Sequence, residues 1–160
     1  MRPLTVVETA VALSIAGSVL AIAVPAFVRN LHASRLSEPI DGLKRISARA
    51  ALLADGPLKG LYPDSVGLTP EQVPQGTSVT DPPEIWEHPT WRALDFRILT
   101  PHRYSFAFES RNTKAGSTYE ARAQGDLDGD GIHSTFSMSG QSLPGQRAES
   151  FPLQLDREVE

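Results

Sequence analysis

Hydrophobic and polar positions fall into four successive patterns along this chain. Residues 4–28, "LTVVETAVALSIAGSVLAIAVPAFV", form a run of apolar and small residues in which Glu8 is the one charge. From Thr9 to Val28 twenty residues pass without a charge. At about 1.5 Å per residue, a helix of that length matches the roughly 30 Å hydrocarbon core of a bilayer. Arg2 and the terminal amine precede it, and Arg29 and Arg35 follow it. The first pair favours a cytoplasmic N-terminus and the second weakens that preference.

Residues 29–54 alternate at helical spacing. Continuing from Phe27, the residues Leu31, Ile40, Leu43, Ile46, Ala50 and Leu53 recur mostly every three or four positions, with Arg29, Arg35, Asp41, Lys44, Arg45 and Arg49 between them. This predicts an amphipathic helix with one face against a globular partner. Pro39 predicts a kink, and Asp55-Gly56-Pro57 predicts the stop. Residues 55–103 hold eight prolines between Pro57 and Pro101, too many for long regular elements. They read as an irregular loop, packed down by Trp86 and Trp91. An aromatic ligand site is the sharper reading of the two tryptophans, and packing is preferred.

Period two takes over in residues 104–160. "YSFAFES" places Tyr104, Phe106 and Phe108 on one face, "STYEARA" places Tyr119, Ala121 and Ala123, and "IHSTFSM" places Ile132, Phe136 and Met138. Three such runs separated by turn residues predict an antiparallel meander. The fold class is therefore α+β: a long N-terminal helix, half transmembrane and half amphipathic, with the second half on a small antiparallel sheet.

Charge sharpens this division. Residues 29–54 carry five basic and two acidic side chains (+3), and residues 55–160 carry nine and sixteen (−7). An acidic body argues against non-specific nucleic-acid binding. The chain has no cysteine, so disulfides and thiolate metal sites are excluded. Its 160 residues suit one compact domain plus an extension.

Candidate chemistry is sparse. "GDLDGDG" sets Asp126, Asp128 and Asp130 at alternate positions before Gly131, as in the opening of an EF-hand calcium loop. The twelfth position is Ser137 and not the bidentate glutamate, which excludes an EF-hand. A looser calcium turn and a tight hairpin turn remain open. His32, His88, His102 and His133 are scattered and read as solvated or capping groups. With no HExxH, G-x-S-x-G, Walker or G-x-G-x-x-G motif, the chain reads as no enzyme and as needing no cofactor beyond that calcium.

The order Thr5, Glu8, Gly17, then Pro25-Ala26-Phe27 resembles the N-terminal helix of type IV pilins and the related type II secretion pseudopilins, without a gap. The likeness extends through Ser37-Glu38 and Leu43-Lys44, so it covers roughly the first 45 residues. "WRALDF" and "GDLDGDGIHSTF" are similar to stretches in pilins of deltaproteobacteria such as myxobacteria. The resemblance implies a filament subunit whose N-terminal helices bundle, the glutamate of an incoming copy meeting the terminal amine of a neighbour. Leu4, Thr5, Glu8, Gly17, Pro25 and Phe27 would then serve assembly, with residues 1–3 as a short leader cut before Leu4. Pro3 departs from the small residue, usually glycine, that the family places before its cleavage point, which counts against processing at Leu4.

Two other classes compete for the apolar run. A secretory signal peptide would use Ala21-Ile22-Ala23 as its cleavage site, and an ordinary signal anchor would make Glu8 incidental. The pilin-like reading implies storage in an inner membrane with the C-terminal domain in the periplasm, then a place in a surface pilus. Its partners would be other pilin or pseudopilin subunits and the assembly machinery. The alternatives are a secretion pseudopilin and a membrane-anchored or secreted binding protein with a calcium-stabilised loop.

Overall fold

A computed structural model describes residues 5–156, with side chains omitted at position 26 and at positions 28–35. Pro3 and Leu4 thus lie outside the described residues, as do the side chains of Arg29, Leu31, His32 and Arg35. The chain divides into two compact units, Met1–Ser37 and Glu38–Glu160.

Among the described residues of the first unit the single element is the helix α1, Val6–Asp55, which continues past the unit's end. Every residue from Val6 to Pro25 is exposed, and the segment is long and apolar enough to cross a membrane. Neither Gly17 nor Pro25 ends the helix.

The second unit is α+β. The later part of α1 buries Pro39, Leu43, Ile46, Ser47, Ala50 and Ala54, while Ile40 and Leu53 are half-buried and Leu52 is exposed. Pro39 does not break the helix. A proline removes one helical N–H, and the full burial of this ring against the core offsets that loss. Gly42 lets α1 approach the Phe106 ring so closely that a Cβ there would lie 2.5 Å from it. Past Asp55 the chain turns back through N–H bonds from Leu58 to the Leu53 carbonyl and from Gly60 to the Ala54 carbonyl, so the helix stops where expected.

The proline-rich stretch is more structured than its composition suggests. It holds the strand β1, Val66–Thr69, a short 3-10 turn at Pro83–Trp86 and the helix α2, Pro89–Ala93. His88 caps α2 by accepting the Thr90 N–H at 3.3 Å. Trp86, Trp91 and Phe96 are buried and meet one another in tilted or edge-on contacts at 5.4–5.7 Å, and Phe96 meets Phe106 at 5.1 Å. Trp91 donates its indole N–H to Thr69 Oγ1 at 2.9 Å, which ties α2 to β1.

Strands β2 (Tyr104–Thr113), β3 (Gly116–Gly125) and β4 (Ser134–Ser142) form the antiparallel centre of the sheet. β1 adds to the free edge of β2, and β5 (Glu149–Ser150) and β6 (Gln154–Asp156) both pair with β4. The order is β1-β2-β3-β4-β5, with β6 beside β4, so the sheet has six strands where three were expected. Tyr104, Phe106, Phe108, Tyr119, Ala121, Ala123 and Phe136 fill the core face as the alternation predicts. Ile132 does not join them: it precedes β4 and is 57% exposed. The strand starts at Ser134 because the aspartate turn consumes the preceding residues, and Met138 is half-buried. The Tyr119 hydroxyl joins Ser47 of α1 and Ser150 of β5, the latter at 3.0 Å, across the core.

Candidate functional site: the N-terminal helix and the aspartate turn

The start of α1 is built from the side chains of Thr5 and Glu8. Glu8 Oε2 accepts the Thr5 N–H at 2.7 Å and the Thr5 hydroxyl at 2.8 Å, and the Glu8 N–H donates to Thr5 Oγ1 at 3.3 Å. This reciprocal pair is a capping box, which satisfies orphan donors at the first turn. Thr-x-x-Glu before an apolar run was the signal for it, and family spacing obscured that local reading. Glu8 is thus satisfied within its own chain, and the carboxylate is fully solvent-facing. Downstream, Gly17 has open space around it, and Pro25 and Phe27 are exposed, the latter 64%. The described positions expected to serve assembly therefore lie along the exposed first part of α1.

The second candidate is the turn between β3 and β4. Gly129 and Gly131 have φ of 81° and 86°, the left-handed region open to glycine. That curvature wraps the backbone around Asp126, which is 1% exposed and accepts the Gly129 N–H on Oδ1 at 2.7 Å and the Gly131 N–H on Oδ2 at 3.0 Å. Asp128 accepts the Asp130 N–H at 3.2 Å, and Asp130 accepts the Ile132 N–H at 2.7 Å. The structure brings all three predicted carboxylates together, with one oxygen of each within 4.8 Å of the others. Asp128 and Asp130 are exposed. Three oxygens at that spacing could hold a divalent cation, and a hard cation such as calcium fits an all-carboxylate donor set. A cation there would need further carbonyl or water oxygens to complete six to eight ligands.

Sequence reasoning missed a buried polar cluster. His102 is 1% exposed and Asp81 9%, and Nε2 lies 3.0 Å from Asp81 Oδ2, as a close contact without hydrogen-bond alignment. His102 Nδ1 faces the Thr100 carbonyl at 3.2 Å, and its main chain pairs with Val79. His102 is thus neither solvated nor a cap. Beside it, Glu38 accepts the N–H groups of Arg103 at 3.0 Å and Tyr104 at 3.1 Å. Burial pushes the Glu38 carboxyl above its ordinary range, and those N–H groups and the charges of His102 and Arg103 oppose that rise. No nucleophile aligned on His102 accompanies the cluster among the described contacts, and the groups read as a buried brace between α1, the loop and β2.

Compared with known proteins, the chain matches no family model, no curated protein and no solved structure.

Proposed function

We propose that this chain is a structural subunit, major or minor, of a type IV pilus-like filament, held in an inner membrane through its N-terminal helix and assembled through it. One observation carries the reading. A single helix presents a wholly exposed apolar stretch, Val6–Pro25, and then an amphipathic half whose apolar side is buried in the α+β unit. Such a stretch needs a hydrocarbon partner, either lipid or other copies of the same helix. The family spacing of Thr5, Glu8, Gly17, Pro25 and Phe27 supports the second partner as well as the first. Glu8 would pin register, since a docking position that leaves a carboxylate unpaired in low dielectric is disfavoured by several kcal/mol.

The capping box makes the test discriminating. Glutamine serves in a capping box as glutamate does, but carries no charge. If Glu8 pairs with an amine of a neighbour, Glu8→Gln and Glu8→Ala both insert in the membrane and both fail to enter sheared filaments. If Glu8 only caps α1, Glu8→Gln enters filaments like the parent chain, and the register role is lost. A second reading, a membrane-anchored binding protein with a calcium-stabilised loop, is favoured by the close approach of Asp126, Asp128 and Asp130. It requires a calcium-dependent melting temperature.

A further inference from the structure

One end of the sheet exposes the carboxylates of Asp128 and Asp130, and the other the cations of Lys59, Lys114 and Arg147 together with the carboxylates of Asp55 and Glu149. β3 runs ten residues from Gly116 to Gly125, roughly 30 Å at about 3.4 Å per residue. At its far end stands the aspartate turn, with Asp128 and Asp130 exposed and Ile132 57% exposed beside them. None of the three turn aspartates makes an ion pair among the described residues, and the Arg103 guanidinium goes to the Gly76 carbonyl instead.

At the near end, where β3 begins and β4 finishes, a groove of about 640 Å³ opens between the turn after α1 and the segment after β4. Lys59 and Arg147 line it, together with Leu143 and Pro144. Both cations are exposed, and neither makes an ion pair among the described residues. Asp55, in the same groove, turns its carboxylate to the Ala148 N–H at 2.7 Å. Lys114, in the β2–β3 hairpin at this end, adds a third exposed cation.

We propose that the Lys59–Arg147 groove of one copy receives the Asp128–Ile132 turn of another, so that the α+β units join head to tail. The charges are complementary, and Ile132 would find Leu143 and Pro144 as apolar neighbours. Donor and acceptor surfaces differ and lie at opposite ends, so the contact is heterologous and does not pair two copies symmetrically. Repetition gives a ring where the rotation closes and an open chain where it does not, and the filament reading requires the open chain. The inference deepens the filament reading and rests on it, by naming where the globular parts touch.

The absence of cysteine permits a clean test. Ile132→Cys and Gln146→Cys leave every charge intact, since both positions are exposed and uncharged. Full-length chain carrying both changes is treated in its membranes and in sheared filaments with a short bismaleimide. The expected result is a ladder of dimers, trimers and longer species, with each single variant left monomeric because the contact never brings two like positions together; a dimer from either single variant would indicate a symmetric contact and overturn the proposal. Lys59→Glu with Arg147→Glu should remove the ladder, and adding Asp128→Lys with Asp130→Lys should restore it. A double-cysteine chain that yields no species above the dimer overturns the proposal, as does a ladder indifferent to charge reversal. Filament recovery is scored separately. Filaments without a ladder overturn the groove contact and leave the subunit reading standing, whereas a charge-sensitive ladder without filaments supports the contact and removes the filament.

Discussion

His102 Nε2 lies 3.0 Å from Asp81 Oδ2, and both side chains are shielded from water. The contact joins the loop after β1 to the residues leading into β2, beside the Trp86 ring at 6.4 Å. Removing one member of a buried polar contact leaves the other without its neighbour, at a cost of about 1–3 kcal/mol. Asp81→Ala and His102→Ala should each lower the urea midpoint accordingly, and the double variant should lose less than the sum of the two. Additive losses would show that the groups do not couple.

Glu38 gives a pH signature with a definite sign. Its folded-state carboxyl is raised above 4.5 by burial, so the folded protein holds that proton more tightly than the unfolded chain. The associated stability is fully present below the unfolded value and is lost as pH rises through the folded one. Glu38→Gln lacks this loss. Relative to the parent, the variant should therefore gain stability as pH is raised from about 4 to 7. Parallel stability curves for the two proteins over that range would contradict the assignment.

Gly42 sets two principles against each other. Alanine is the better helix former by about 1 kcal/mol. A Cβ at this position, however, would stand 2.5 Å from Phe106, and overpacking costs about 1–3 kcal/mol. Gly42→Ala should be net destabilising in thermal unfolding, and Gly42→Ala with Phe106→Leu should recover part of the loss.

The aspartate turn separates a cation site from a hydrogen-bonded hairpin. Four N–H bonds already reach its carboxylates. Chelator should therefore leave the melting temperature unchanged, and Asp128→Asn should be neutral or slightly stabilising, because Asn suits the same turn and removes like-charge repulsion. Asp126→Ala should cost about 2 kcal/mol or more by stranding the Gly129 and Gly131 N–H groups. Calcium-dependent melting that Asp128→Asn abolishes would assign the turn to a metal.

What the sequence made legible was local and strongly patterned. Period two in β2 and β3, helical spacing in α1 and the Asp-Gly turn each announce themselves within ten residues or so. β1 did not, because four residues, "VGLT", are too few for an alternation to stand out, and its place is set by the free edge of β2. β5 and β6, of two and three residues, are strands only because β4 lies beside them. His102 and Asp81 stand 21 positions apart in a proline-rich segment, and no spacing rule joins them. Ile132 differs for the opposite reason: its apolar side chain continues the strand-like pattern, while the turn binds its N–H and keeps it out of the strand.

The six-stranded sheet ends in little free backbone. On one side β1 is four residues long and irregular in register, and on the other β5 and β6 occupy much of the outer edge of β4. A second chain seeking to add a strand finds few unpaired N–H and C=O groups in line, so cross-β growth is suppressed. If copies assemble through their apolar helices as proposed, contact between their α+β units falls to side chains and not to added strands.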